Sequence, residues 1–76
     1  MKELLEYIAS TLVDNPAEIV IKERTSRHNV TFDLIVAQAD TGKVIGRNGR
    51  VARSIRDMMS VAAARQNKRV HVDIKS

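Results

Sequence analysis

The sequence contains no cysteine and almost no aromatic residues. Without cysteine, disulfide bonds, thiol chemistry and cysteine-based zinc sites are excluded. Tyr7 and Phe32 are the only aromatics, so the chain lacks the exposed rings on which many single-strand binders stack bases. No hydrophobic run is long enough to cross a bilayer, and the first residues do not resemble a signal peptide. We therefore expect a cytoplasmic protein without membrane insertion.

The length and the charge distribution indicate one domain with a basic half. The 76 residues suffice for a single domain, residues 1–76, and the 43% hydrophobic and 29% charged content is typical of a folded chain. Residues 1–40 contain four Lys/Arg and seven Asp/Glu, whereas residues 41–76 contain nine and two. The second half therefore has the excess positive charge of a polyanion-binding surface, with a merely solvated basic face as the alternative.

Hydrophobic periodicity predicts six elements in the order α-β-β-α-α-β. Helical spacing or two-residue alternation of apolar side chains marks each of them. The predicted helices cover residues 2–13, 41–45 and 50–66, and the predicted strands cover residues 19–24, 30–36 and 70–74. Asp40 or Thr41 is expected to cap the second helix. A three-stranded mixed sheet covered on one face by three helices buries these apolar faces, which predicts an α+β fold.

Residues 44–49 read Val-Ile-Gly-Arg-Asn-Gly and are the most informative segment. Gly46 and Gly49 lack a Cβ, so the loop backbone can approach a sugar-phosphate chain and adopt positive φ at little cost. The helix that follows adds unpaired N–H groups and the positive end of its dipole. Arg47 and Arg50 add full charges. The segment predicts a binding site for a nucleic-acid backbone.

Residues 42–55, above all the Val-Ile-Gly-Arg-Asn-Gly stretch followed by Ile55, resemble the VIGxxGxxI core of KH domains. The order of elements resembles the type II KH arrangement, and the whole chain is similar to small bacterial KhpA-type RNA-binding proteins. The resemblance implies binding of single-stranded RNA, about four nucleotides at a time, without a cofactor. It also implies an RNA-chaperone activity, a homodimer, a heterodimer with a larger KhpB/Jag-like protein, and a role in cell-wall homeostasis and cell shape.

The resemblance assigns RNA binding to nine residues around the glycine loop: Lys43, Val44, Ile45, Gly46, Arg47, Asn48, Gly49, Arg50 and Arg53. Arg47 and Asn48 are expected to point at phosphates, while Lys43 and Arg50 add electrostatic attraction. Arg53 is expected either to reach the RNA or to pair with Asp57 one helical turn away. Four aliphatic residues are expected to support the bases, with core packing as their alternative: Val44, Ile45, Val51 and Ile55.

An apolar patch on the predicted third helix is the candidate for self-association. With Ile55 at the centre of the buried face, Met58 lies at its margin and Val61 well outside it. We expect Met58 and Val61 to form a dimer interface. Isolated surface hydrophobes are the alternative.

Other functions fit the sequence less well. A P-loop requires Lys-Ser/Thr after its last glycine, but Gly49 is followed by Arg50 and Val51. His28 and His71 have no partners at the spacing of a hydrolase or a metal site, so we expect neither catalysis nor a metal. Two alternatives stay open: a KH-fold dimerisation or adaptor module with little RNA affinity, and a binder of single-stranded DNA.

Overall fold

The computed structural model describes residues 1–75. Its elements are the helices α1 (Lys2–Leu12), α2 (Thr41–Ile45) and α3 (Arg50–Ala64), and the strands β1 (Val20–Thr25), β2 (Asn29–Ile35) and β3 (Arg69–Lys75). The predicted order α-β-β-α-α-β and the α+β class are confirmed, with boundaries shifted by one or two residues. Within these residues, no helix is both long and apolar enough to cross a bilayer.

The three strands form one mixed sheet in the order β1-β2-β3. β1 and β2 are antiparallel, whereas β2 and β3 are parallel. Parallel neighbours need a crossover connection, which α2 and α3 provide. The chain leaves β2 at its C-terminal end, enters α2, and returns along α3 to the beginning of β3. The loop before α3 and the turn after α3 therefore lie at opposite ends of the sheet.

The helix-facing side of the sheet forms the core. Val30, Phe32 and Leu34 alternate along β2 and are all buried, as the sequence pattern predicts. The cluster is completed by residues from the three helices and from β3: Leu5, Ala9, Val44, Ile55, Met59 and Val72. Fully burying a large aliphatic or aromatic side chain stabilises a fold by roughly 1.5–3 kcal/mol. This packing holds α3 against the sheet and thereby positions the loop that precedes it.

The opposite face of the sheet is open but carries one buried carboxylate. Asp33 lies on β2 and is only 3% exposed. Arg24 Nη1 lies 3.0 Å from Asp33 Oδ2, and Lys75 Nζ lies 3.6 Å from Asp33 Oδ1. These cations come from the two neighbouring strands and cover the carboxylate. Simple alternation along β2 would leave Asp33 in solvent, so its burial is a product of strand pairing.

Asp40 ties the end of α1 to the beginning of α2. Asp40 occupies the predicted N-cap position of α2, but its side chain makes no capping hydrogen bond. Instead, the fully buried carboxylate accepts hydrogen bonds from the Asp14 N–H (3.2 Å), the Asn15 N–H (3.0 Å) and the Asn15 side-chain amide (3.1 Å). Burial pulls the pKa of Asp40 upward, but these hydrogen bonds outweigh it and hold the pKa below its usual value.

Candidate nucleic-acid interface

The loop between α2 and α3 has positive φ at three of its four residues. They are Gly46 (φ 75°, ψ 176°), Asn48 (φ 56°, ψ 27°) and Gly49 (φ 75°, ψ 15°). Glycine adopts such conformations readily, and asparagine tolerates the left-handed region better than most residues. The Gly46 N–H donates to the Gly42 C=O (2.9 Å), and the Gly49 N–H donates to the Gly46 C=O (3.2 Å). The loop therefore has a defined shape that this sequence can adopt.

The two glycines of the loop are needed for different reasons. A Cβ on Gly46 would lie 2.9 Å from the Val51 backbone nitrogen and closer still to Val51 Cγ2. A Cβ on Gly49 would have no heavy atom within 4 Å. Gly46 thus lets the loop pack against the first turn of α3. Gly49 leaves open space beside the loop, as a close backbone approach by a ligand requires.

Arg47 and Asn48 are exposed at the tip of the loop. Across residues 1–75, Arg47 takes part in no ion pair. α3 begins at Arg50, directly after Gly49, so the N–H groups of its first turn lie beside these polar side chains. A phosphodiester would find a free guanidinium and the positive end of a helix dipole together at this point.

One flank of α3 faces the free edge of β3 across a groove. Arg53, Arg56 and Ser60 share this flank because they are spaced by three and four residues. Arg56 Nε donates a hydrogen bond to the Val72 C=O (3.2 Å). The groove encloses about 330 Å³ and is lined by Arg56, Ser60, Val70, His71, Val72 and Asp73. Arg56 was not among the residues predicted from the sequence, although it lies three residues after Arg53 on the same helix.

Arg50 lies on the opposite flank of α3. It lines a second groove of about 420 Å³, between α1 and α3, together with Tyr7, Ile8, Thr11, Leu12, Val51, Ser54, Ile55 and Met58. Arg50 and Arg56 therefore line two different grooves beside α3. The expected alternative partner of Arg53 is not used, since no ion pair joins Arg53 to Asp57 within residues 1–75.

Lys43, predicted to attract RNA, is paired with two carboxylates of the protein. Its Nζ forms an ion pair with Asp14 and lies 3.4 Å from Asp40 Oδ1. The hydrogen bond to Asp14 raises the pKa of Lys43 above its usual value, partly offset by burial. Two carboxylates balance its charge, so Lys43 has a structural role that joins α2 to the segment after α1.

Most of the aliphatic residues expected beneath the bases belong to the core. Val44 and Ile55 are 0% and 1% exposed, so their side chains pack inside the protein. Val51 is partly buried and packs against that core. Ile45 is 37% exposed. Of the four predicted residues, Ile45 is therefore the side chain that remains available to a ligand near the loop.

An exposed apolar patch covers the α1 side of α3. Met58 and Val61 are 46% and 60% exposed, and Leu4 and Tyr7 on α1 are 38% and 69% exposed. Leu4, Met58 and Val61 line a shared depression of about 380 Å³ together with Ala62 and Arg65. The sequence analysis named Met58 and Val61 but not the α1 residues, because the packing of α1 beside α3 is not visible from periodicity.

Comparison with known proteins identifies the family. Residues 2–74 match the family described as "KhpA/KhpB, KH domain". The chain belongs to this family. The KhpA/KhpB membership agrees with the glycine loop, the element order and the mixed sheet, and it confirms the resemblance seen in the sequence.

Several curated members of the KhpA/KhpB family are similar over nearly their whole length. A protein of Clostridium acetobutylicum named "RNA-binding protein KhpA" is 49% identical over 74 residues, which cover 97% of this chain and 99% of that protein. Proteins with the same name from Chlamydia pneumoniae and Oceanobacillus iheyensis are each 45% identical over 97% of this chain, covering 95% and 99% of their own lengths. No solved structure matches this KhpA/KhpB-family chain significantly.

Proposed function

We propose that this protein binds single-stranded RNA along the groove between α3 and β3, with loop 46–49 holding the sugar-phosphate backbone. The observation that carries the proposal is the loop itself. Its positive-φ backbone and its exposed Arg47 and Asn48 lie directly before α3, the helix that forms one wall of the groove. The names of the curated relatives, "RNA-binding protein KhpA", support RNA as the ligand.

Each residue of the proposed site has a role that follows from its position. Gly46 shapes the loop and Gly49 keeps its outer side open, while Arg47 and Asn48 contact phosphates. Arg56 lines the groove, and Arg53, three residues earlier on α3, helps it attract the strand. Ile45 supports a base, and Arg50 adds positive charge from the other flank. Lys43 and Val44 act through the fold rather than by direct contact.

The composition of the site indicates how strongly and how selectively it binds. The exposed aromatic side chain, Tyr7, lies on α1, away from the groove between α3 and β3. Binding then rests on phosphate contacts and aliphatic packing, so affinity is modest, sequence preference is weak and salt dependence is marked. These are the properties of a general RNA chaperone in the cytoplasm, and no catalytic step is part of the proposal.

Self-association compensates for the small size of one groove. The apolar patch formed by Leu4, Tyr7, Met58 and Val61 is the proposed homodimer surface, and the same surface can accept a KhpB/Jag-like partner with its own KH domain. Two linked grooves bind one RNA more tightly through effective concentration. The family resemblance further suggests that the RNAs served by such a complex act in cell-wall homeostasis and cell shape.

Fluorescence anisotropy with a labelled single-stranded RNA tests the proposal. The loop variant is Arg47→Asp with Asn48→Asp, in which aspartate at position 48 still tolerates the left-handed backbone. A variant carrying Ser10→Glu and Lys22→Glu has the same change in net charge at exposed positions far from the loop. We expect the loop variant to lose about tenfold or more in affinity at moderate salt, and the control variant to change far less.

The remaining outcomes separate the alternatives. Equal weakening of the two variants would mean that a diffuse basic surface, rather than the loop, binds RNA. Failure of the wild type to bind would favour the adaptor module. Titration with a DNA strand of matched sequence distinguishes RNA from single-stranded DNA, because the two differ at the 2′-OH. Circular dichroism of every variant verifies that a lost affinity is not a lost fold.

A further inference from the structure

The groove beside β3 extends beyond the region that Arg56 lines. A second region of about 320 Å³ follows it and is lined by Asn29, Ser60, Lys68, Arg69, Val70 and His71. Ser60, Val70 and His71 line both regions. The two regions therefore form one continuous groove along the edge of β3, from Arg56 to the turn that follows α3.

This turn lies far from the glycine loop. α3 has 15 residues, and a rise of about 1.5 Å per residue places its two ends roughly 22 Å apart. The glycine loop stands at the beginning of α3, and Lys68 and Arg69 follow its end. Any ligand that contacts both ends must run along the whole groove.

Backbone hydrogen bonds hold the turn after α3 in place. The N–H groups of Gln66 and Lys68 both donate to the Ala63 C=O (2.9 Å each), and Asn67 adopts a left-handed φ of 57°. The Arg69 N–H donates to the His28 C=O (2.7 Å), which joins this turn to the one between β1 and β2.

Three cations gather on these joined turns: Arg27, Lys68 and Arg69, which we name the far basic cluster. Within residues 1–75, no carboxylate forms an ion pair with any of them. By contrast, Arg24, Lys43 and Lys75 are all paired. The far basic cluster thus carries unbalanced positive charge at the end of an open groove. Such charge attracts a polyanion.

We infer that the far basic cluster is a second phosphate-binding site for the same RNA strand. The inference rests on the proposed function, since the strand must first be held at loop 46–49. The loop holds about four nucleotides, and the phosphates of the nucleotides beyond them reach Arg27, Lys68 and Arg69. The protein therefore recognises a longer single-stranded segment than one KH loop requires, and its affinity rises when the RNA exceeds a tetranucleotide.

The test compares a tetranucleotide with an octanucleotide of the same base, using a variant of the cluster. Lys68→Gln with Arg69→Gln removes two of the three cations, and Lys2→Gln with Lys22→Gln makes the same change in charge elsewhere. A longer homopolymer can bind in more registers, which raises its affinity even without the far basic cluster. The decisive comparison is therefore between the cluster variant and its charge-matched control. We expect the cluster variant to lose several-fold of the octanucleotide affinity and none of the tetranucleotide affinity.

Salt dependence and amide chemical shifts provide independent readouts. For octanucleotide binding, we plot the logarithm of the association constant against the logarithm of the salt concentration. In the cluster variant, this slope should become shallower by about 0.7 for each phosphate contact removed. In wild-type protein, the tetranucleotide should shift amides of the loop and α3. The octanucleotide should also shift those of Arg27, Lys68 and Arg69.

The outcomes are distinguishable from failure of the proposed function. The second site is overturned if the cluster variant and its control bind the octanucleotide with equal affinity. It is also overturned if the octanucleotide adds no chemical-shift changes at the cluster. Either result leaves the proposed role of the loop standing. If the Arg47→Asp, Asn48→Asp variant binds both oligonucleotides as well as wild type, the loop is not the site and both proposals fail. The same conclusion follows if wild type binds neither oligonucleotide.

Discussion

Replacing each of the three glycines with alanine should give three different changes in stability. Gly46 has a positive φ and a crowded Cβ position, Gly49 has a positive φ and open space, and Gly42 has open space within helix α2. A general effect of removing glycine would be the same at all three. The structure predicts instead a large loss at Gly46, a small loss at Gly49 and a gain at Gly42.

The magnitudes follow from the local geometry. At Gly46, backbone strain of about 1–3 kcal/mol adds to an overpacking cost of similar size against Val51, so we expect a loss of roughly 2–6 kcal/mol in unfolding free energy. At Gly49, only the left-handed backbone opposes alanine, at a cost of about 1 kcal/mol. At Gly42, alanine is the better helix former, by about 0.5–1 kcal/mol. A 76-residue domain has only about 4–11 kcal/mol in total.

Urea denaturation followed by circular dichroism measures these differences, and thermal melts provide a check at about 4–8 °C per kcal/mol. Adding Val51→Ala to Gly46→Ala should recover part of the loss, because the contact with Cγ2 disappears while that with the backbone nitrogen remains. Equal losses for Gly46→Ala and Gly49→Ala would refute the separate roles of the two loop glycines. If Val51→Ala leaves the Gly46→Ala loss unchanged, the contact with Val51 Cγ2 does not contribute to the cost.

Two further predictions concern pH and self-association. The pKa of Asp40 is lowered in the folded protein, so the ionised carboxylate adds to the free energy of unfolding. This stabilisation is present above the ordinary carboxyl pKa and is lost as pH falls through the native pKa. The pKa of Lys43 is raised, so its protonated form also adds to the free energy of unfolding. This stabilisation is present below the ordinary lysine pKa and is lost as pH rises through the native pKa. Denaturation at several pH values should show Asp40→Asn to be less stable at neutral pH but less sensitive to acid, and an unchanged acid sensitivity would contradict this. Met58→Glu should leave the fold intact and lower the mass measured by light scattering at a fixed concentration. Gln38→Glu, at an exposed position before α2 and with the same change in charge, should leave that mass unchanged. An unchanged mass for Met58→Glu would exclude the patch as the dimer interface.

The fold and the loop were accessible from the sequence because their signals are local. The apolar periods along β2 and α3 predict buried faces without knowledge of the partners, and Gly46 to Gly49 predict a tight loop from four consecutive residues. Positive φ at Gly46 and Gly49 is the conformation that glycine was expected to supply. These features required no information on how distant segments pack.

The contacts that the sequence does not reveal depend on long-range packing. Lys43 and Asp40 look like a loop cation and a helix cap, yet both contact the segment at Asp14, more than 25 residues earlier in the chain. Arg50 and Arg56 are equally basic and lie on one helix, but α1 approaches one flank and β3 the other. Which flank faces the groove is decided by tertiary structure alone.

The hydrogen bond from Arg56 to Val72 also bears on the free edge of the sheet. The Lys75 C=O accepts a hydrogen bond from the N–H of Val36, the residue after β2, whereas the Val72 C=O accepts one from Arg56 on the other side of β3. A free strand edge of this kind is a template for pairing with another chain. The guanidinium occupies one of its acceptors and places a charge where an intruding strand would lie. The residue that lines the proposed RNA groove therefore also protects β3 against edge-to-edge aggregation when no ligand is bound.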